Sequence, residues 1–189
     1  MRLKDDSKIE AIFEATVALT SRKGLHGITM SAIAKKAKIA SGTLYIYFEG
    51  KEQLLNELYK HLMLKGTLSL LPSIAHLPLK QQLFTIWSNV LRFRISNSSQ
   101  VAFMHQFRYS SYISEESRKM DEQFVDHLMS LLNAGKKEFI VKDMDNNILF
   151  PLMYGYVNNL ARHFSSKKIS LTEKVVEQTF VICWDAIKA

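Results

Sequence analysis

The stretch from Thr29 to Lys51 constrains this chain most, because its apolar residues fit two short helices and not one. They recur at helical spacing, but the period breaks once near Lys38, which predicts a tight turn between two helices that cross at a steep angle. Thr29 and Ser41 stand where these helices would begin, and a hydroxyl there can accept an unpaired backbone N–H as an N-cap. The apolar positions are Ile33, Ala34, Ala37, Ile39, Leu44 and Phe48.

The second of these helices, predicted over 41–48, is very short and exposes most of its side chains. Small and hydroxylated groups near a helix start suit close approach to base edges and phosphates. Gly50 and Lys51 would open a further helix, whose first N–H groups and lysine could together hold a phosphate. The side chains predicted to lie away from the packed side are Gly42, Thr43, Tyr45, Ile46 and Tyr47.

This turn and helix resemble the helix-turn-helix of TetR-type transcriptional regulators. The sequence departs from that family at Lys38, where a glycine is usual. If the backbone there has a positive φ, lysine costs about 1 kcal/mol relative to glycine, which leaves the motif intact. A plain three-helix bundle without a DNA role is the alternative. The residues that carry the resemblance are Gly42, Thr43, Leu44, Tyr45, Tyr47, Phe48, Lys51, Glu52 and Leu54.

The resemblance implies two sets of DNA-binding residues. Those expected to hold phosphates are Thr43, Tyr47 and Lys51, with Thr29 and Ser31 nearby. Those expected to meet base edges or thymine methyl groups are Ser41, Gly42, Tyr45 and Ile46. Because few of these side chains are long and polar, we expect part of the sequence preference to come from DNA shape.

The positive charge of the chain is densest around this motif. The formal net charge is +7 over 189 residues. Residues 1–65 contain 11 Lys and Arg against 7 Asp and Glu, whereas residues 66–189 contain 14 against 11. An excess of positive charge near the motif favours binding to DNA phosphates.

No pattern of an enzyme or a metal site is visible in the sequence. It has no G-x-S-x-G turn, no glycine-rich phosphate loop and no Cys/His spacing of metal ligands. We therefore expect no catalytic residues, no metal and no cofactor. Cys183 is the single cysteine, and there is no apolar run of about 18 residues or more. These features predict a soluble cytoplasmic protein without a membrane partner.

The hydrophobic periodicity predicts an all-α protein of about nine helices. Residues 1–50 form the expected helix-turn-helix DNA-binding domain, and a helix over 51–65 links it to a helical C-terminal domain over 66–189. The stretch 66–78 contains Pro72 and Pro78 and is predicted to break regular structure. Further helices are predicted over 7–23, 79–96, 100–109, 115–137, from a cap at Asp145 or Asn147 to 164, and over 172–188.

Each of the last two predicted helices has two apolar faces. A helix in a monomer of this size needs only one buried stripe, so a second face predicts burial against a second copy of the chain. The resemblance also implies such a four-helix homodimer interface. A central core helix without a dimer stays an alternative for the first of the two. The predicted interface residues are Leu149, Leu152, Met153, Tyr156, Leu160, Val176, Phe180, Cys183, Trp184 and Ile187.

The resemblance further implies that the C-terminal domain binds a small-molecule effector, which shifts the protein away from its DNA-binding conformation. The expected protein is a homodimeric repressor that its effector releases from a palindromic operator. The alternatives are an activator, a regulator without a ligand and, more distantly, a helical enzyme or an interaction module. Aromatic lining suggests an apolar or flat ligand, with an acidic group for Arg94. The candidate lining residues are Trp87, Arg94, Phe103, Phe107, Tyr154 and Asn158.

Overall fold

The computed structural model describes residues 6–70 and 74–189, so the predicted helix breaker Pro72 lies outside the described residues. The described residues form nine α-helices, which confirms the all-α prediction. Their bounds are α1 Asp6–Lys23, α2 Met30–Lys36, α3 Ser41–Tyr47, α4 Lys51–Leu70, α5 Leu79–Ser96, α6 Ser98–Arg108, α7 Glu115–Lys137, α8 Asn146–Lys167 and α9 Glu173–Ile187.

Several predicted helix bounds differ from the structure by one to five residues, and two of the differences have a clear physical reason. α4 continues through Gly66 to Leu70 instead of ending at Lys65, because a single glycine inside a helix costs only about 1 kcal/mol relative to alanine. The N-cap of α3 is Ala40 and not Ser41. The carbonyl of Ala40 already accepts the N–H of Leu44 at 3.2 Å, so Ser41 is the first helical residue and its hydroxyl caps nothing.

The other caps follow the sequence. Thr29 Oγ1 accepts the N–H of Ala32 at 3.2 Å, which confirms the predicted N-cap of α2. The side chain of Asp145 caps α8, since it accepts the N–H of Asn147 at 2.8 Å. Gly24 ends α1 with a φ of +68°, a conformation that glycine adopts at little cost.

Among the described residues, the first of two compact units contains 6–64 together with Ser99–Met120. Within it, α1 packs against α2 and α2 against α3. α6 and the first turns of α7 therefore belong to the same unit as the helix-turn-helix. The most deeply buried side chains of this unit are Ile12, Ile28, Ile33, Leu44, Leu54, Leu55, Leu58, Tyr59, Phe103 and Phe107.

The second unit contains Lys65–Ser98 and Asp121–Ala189, and in it α5 packs against α8 and α9. Trp87 of α5 donates a hydrogen bond from Nε1 to Thr179 Oγ1 of α9 at 3.3 Å. Cys183 is 2% exposed, and burial raises the pKa of its thiol to about 12. This cysteine is therefore a protonated core residue at neutral pH.

Six of the ten predicted interface residues lie in the core of this unit, which corrects their assignment to a dimer face. The apolar stripe of α9 packs inward against α5, because the protomer itself needs that stripe to close its core. The exposed apolar side chains of α8 and α9 are instead Ile148, Leu152, Val181 and Ile182. The six core residues are Leu149, Val176, Phe180, Cys183, Trp184 and Ile187.

None of the described helices is long and apolar enough to cross a lipid bilayer.

Gly135 allows α7 to approach two neighbours closely. A Cβ atom at this position would lie 2.6 Å from Leu79 Cδ2 and 2.6 Å from Val141 Cγ2. Although alanine is the better helix former, we expect Gly135→Ala to lower the free energy of unfolding by about 1–3 kcal/mol because the core must shift. Urea denaturation measures this change.

Gly66→Ala is the matched control, since its Cβ would lie 3.6 Å from Phe93 Cζ in ordinary contact. We expect this variant to be at least as stable as the wild type, because alanine favours the helix by about 1 kcal/mol. Equal stability of the two alanine variants would contradict the tight packing at Gly135.

Candidate DNA-binding surface

α3 exposes four of its seven residues, and one of its side chains is fully buried. Leu44 is fully buried, and Phe48, directly after the helix, is 5% exposed. Tyr45 is 55% and Ile46 is 73% exposed. Adjacent large apolar side chains that are exposed to solvent on one short helix are typical of a contact surface. The remaining predicted base-contacting residues of α3, Ser41 and Gly42, are also exposed.

The turn before α3 has the backbone that the sequence suggested. Lys38 adopts a φ of +58°, so the lysine there costs about 1 kcal/mol relative to the glycine usual at this position. The N–H of Ile39 is nevertheless bonded to the carbonyl of Ala34 at 3.0 Å, which closes the turn. Lys38 is exposed, as are Lys35 and Lys36 at the end of α2. This part of the unit is therefore positively charged.

The residues predicted to contact phosphates lie on three helix segments of the first unit. Thr29 and Ser31 are exposed at the start of α2, and Thr43 and Tyr47 are half-buried on α3. Lys51 is the first residue of α4. Because the N-terminal end of a helix is positively polarised, Lys51 adds its charge to a site that already favours anions.

Lys51 makes contacts that the sequence did not indicate. Its Nζ lies 4.9 Å from the centre of the Tyr112 ring and donates to the carbonyl of His26 at 3.4 Å. Tyr112 Oη and His26 Nδ1 are 3.3 Å apart. These residues are far apart in the chain and follow no common period, so no local pattern could have predicted them.

Asn56 fixes the loop that contains Tyr112 to α4. Asn56 is 7% exposed, and its Nδ2 donates to the carbonyl of Tyr112 at 2.8 Å and to that of Glu52 at 3.0 Å. Its Oδ1 accepts from Ser114 N at 2.9 Å and from Ser117 Oγ at 2.8 Å. A buried amide with all its polar positions satisfied holds its partners in one arrangement.

The residues proposed to line an effector pocket divide between the units. Phe103 and Phe107 belong to the first unit, where they are 1% and 0% exposed and Phe107 packs 5.1 Å from Tyr59. The other four candidates lie in the second unit, and of these Trp87 is 4% exposed. They are Trp87, Arg94, Tyr154 and Asn158.

Arg94 is the candidate with unused hydrogen-bonding capacity. Its guanidinium carbon lies 5.0 Å from the centre of the Tyr154 ring, and Tyr154 stacks on Phe150 at 5.4 Å. Arg94 Nε is buried and has no hydrogen-bond partner among the described residues. By contrast, Arg92 on the same helix is paired with Glu173 at 2.5 Å.

The second unit has a groove of about 570 Å³ along α8. None of the residues predicted to line an effector pocket borders this groove. No group of three His, Cys, Asp or Glu within 6–70 and 74–189 could hold a metal ion. The residues that line the groove are Tyr156, Asn159, Leu160, Arg162, His163 and Ser166.

Two family models together match most of the chain. Residues 12–58 match the model described as bacterial regulatory proteins, tetR family. Residues 78–188 match the model of the tetracyclin repressor-like C-terminal domain. An HTH-type transcriptional regulator from Haemophilus influenzae is 25% identical over 190 residues, covering 100% of both chains.

Solved structures agree with this result. A TetR family transcription regulator from Marinobacter aquaeolei superposes with a TM-score of 0.88 at 26% identity, covering 100% of this chain and 99% of that one. The regulator FadR from Bacillus subtilis, solved in complex with stearoyl-CoA, shares the fold with a TM-score of 0.70 at 18% identity, covering 94% of this chain and 98% of that one.

Proposed function

The chain belongs to the TetR family and is a DNA-binding transcriptional regulator, and we propose that it is a repressor released from a palindromic operator by a small-molecule effector. Its relatives and its fold are those of transcriptional regulators and not of enzymes. The observation that supports DNA binding most strongly is the exposed face of α3, on which Tyr45 and Ile46 directly follow the buried anchor Leu44.

In this proposal α3 lies in the major groove of DNA. Ile46 contacts a thymine methyl group, and the Tyr45 ring meets neighbouring base edges. Ser41 and Gly42 allow close approach at the start of the helix, and a Cβ added to Gly42 would have nothing within 4 Å in the protein. The proposed phosphate contacts are Thr29, Ser31, Thr43, Tyr47 and Lys51.

A selection of genomic fragments with the purified protein tests this role. We expect a near-palindromic motif, lost or degraded in Tyr45→Ala and Ile46→Ala, because each removes a contact worth about 1–3 kcal/mol of discrimination. The motif recovered by Tyr109→Ala should match that of the wild type, since Tyr109 is 75% exposed but lies in the loop after α6. Fragments without a shared motif would contradict the proposal.

We further propose a homodimer formed through α8 and α9. Ile148 and Leu152 on α8, and Val181 and Ile182 on α9, are between 42% and 59% exposed. Their burial by the same surface of a second copy would remove apolar area from water and present two copies of α3 to one palindrome.

Leu152→Glu should convert the dimer to a monomer, because it places a charge in an apolar interface. Sedimentation velocity measures the mass, and the affinity for the selected duplex should fall by about 100-fold or more once the half-sites bind separately. The matched control is Ile169→Glu: Ile169 is 43% exposed, close to 42% for Leu152, but it follows α8. A dimeric Leu152→Glu protein would contradict this interface.

We propose that the effector combines an acidic group with an apolar body. Arg94 Nε is buried without a hydrogen-bond partner among the described residues, and the Tyr154 ring lies 5.0 Å from its guanidinium carbon. The binding of stearoyl-CoA by FadR supports a ligand of this kind in the same fold. α4 contributes residues to both units, so a shift in its position would alter how α3 meets the groove.

Operator release by palmitate, stearate and stearoyl-CoA tests the effector site. We expect at least one of these probes to release the wild-type protein from the operator. Release of Arg94→Ala should need about a tenfold higher concentration of that probe, since a charge-assisted hydrogen bond contributes about 1.5–3 kcal/mol. Arg92→Ala should respond like the wild type, because Arg92 already pairs with Glu173. Failure of all three probes would favour a regulator without an acidic lipid effector.

A further inference from the structure

We infer that Tyr112, in the loop between α6 and α7, is a positioning residue for DNA binding because it holds the Lys51 ammonium in place for a backbone phosphate. The inference rests on the proposed role of Lys51 as a phosphate contact. Nothing in the helix-turn-helix motif itself requires a residue from this distant loop.

The first step is the geometry around the ammonium group. Lys51 Nζ lies 4.9 Å from the centre of the Tyr112 ring, within the range of a cation–π contact. It also donates to the carbonyl of His26 at 3.4 Å. A lysine ammonium has three N–H donors, so two remain for phosphate oxygens after this bond. The ring therefore restrains the side chain without using up its donors.

The second step is that the Tyr112 ring is itself restrained. Its Oη lies 3.3 Å from His26 Nδ1, and the two rings are 5.3 Å apart. Its backbone N–H donates to Ser110 Oγ at 3.3 Å. A half-buried ring with contacts on two sides samples few rotamers, so Lys51 meets a fixed partner and not a mobile one.

The third step is that this partner is tied to the helix on which Lys51 lies. Asn56 is on α4, five positions after Lys51, and donates to the carbonyl of Tyr112 at 2.8 Å. Lys60, on the next turn of α4, pairs with Glu116 at 3.0 Å, and its hydrogen bonds to Glu57 and Glu116 raise its pKa. The loop is therefore fixed to the N-terminal half of α4, and through Tyr112 this fixes the position of the Lys51 ammonium relative to that helix.

The experiment measures the affinity for the duplex recovered in the selection, and for a scrambled duplex of equal length, between 50 and 300 mM salt. The variants are Lys51→Ala, Tyr112→Leu, Tyr112→Phe and the double variant K51A/Y112L. Tyr109→Leu is the matched control, because Tyr109 is a tyrosine of the same loop that is 75% exposed. The slope of log affinity against log salt counts phosphate contacts at about 0.9 per contact, and loss of folded protein does not change it.

We expect Tyr112→Leu to weaken binding about three- to fivefold. The slope of log affinity against log salt should fall by up to about 0.9 for each Lys51 that no longer contacts a DNA phosphate. Tyr112→Phe keeps the ring and should stay within about twofold of the wild type. The double variant should bind no more weakly than Lys51→Ala, and Tyr109→Leu should be unchanged.

Three outcomes would overturn the inference. If Tyr112→Leu keeps the salt slope and affinity of the wild type while Lys51→Ala lowers the slope, the role of Tyr112 is refuted and that of Lys51 is not. An unchanged slope for Lys51→Ala refutes the phosphate role of Lys51 and the inference with it, whereas the selected motif would still support α3 as the reader. Tighter binding by Tyr112→Leu would mean that the ring withholds Lys51 from DNA.

Discussion

Burial of Leu44 is the interaction on which the DNA-binding surface depends. A helix of seven residues is too short to be stable in water alone, because the cost of its first turn exceeds what so few hydrogen bonds return. Full burial of a leucine contributes about 1.5–3 kcal/mol, and Phe48 extends the anchor to the Phe13 ring at 5.9 Å. With one buried side chain holding α3, its other residues are left to meet DNA.

The start of α4 is the second point at which the unit is fixed. Asn56 satisfies all of its polar atoms with α4 and with residues 112–117, and the Tyr112 ring lies against Lys51. If this loop moved away from α4, the buried amide of Asn56 would lose hydrogen-bond partners at a cost of about 1–3 kcal/mol. The loop is therefore held against the helix. The helix-turn-helix is therefore completed by residues that follow it in sequence by about a third of the chain.

The sequence predicted what is local and failed where the outcome depends on distant partners. The break in helical period near Lys38 predicted the turn, and Lys38 has a positive φ. Such features are predictable because turn geometry and helical spacing depend on neighbouring residues. The stripe of Val176, Phe180 and Trp184 was recognised as buried, but periodicity cannot say against what, and it packs on the protomer's own core. The contact of Asn56 with Tyr112 has no local signal at all. The cap at Ser41 was misplaced by one residue, because Ala40 caps through its backbone alone.

The most direct test of the central claim, that the exposed face of α3 lies in the major groove, is cleavage of DNA by an iron chelate attached at Ile46→Cys. Cys183 is the single cysteine of the sequence and is 2% exposed, so the chelate should attach at position 46 alone in the native protein. The account predicts two clusters of cleavage about one helical turn, or a multiple of it, apart in the selected duplex, and weaker cleavage from the same chelate at Tyr109→Cys. Uniform cleavage, or cleavage from position 109 only, would contradict it.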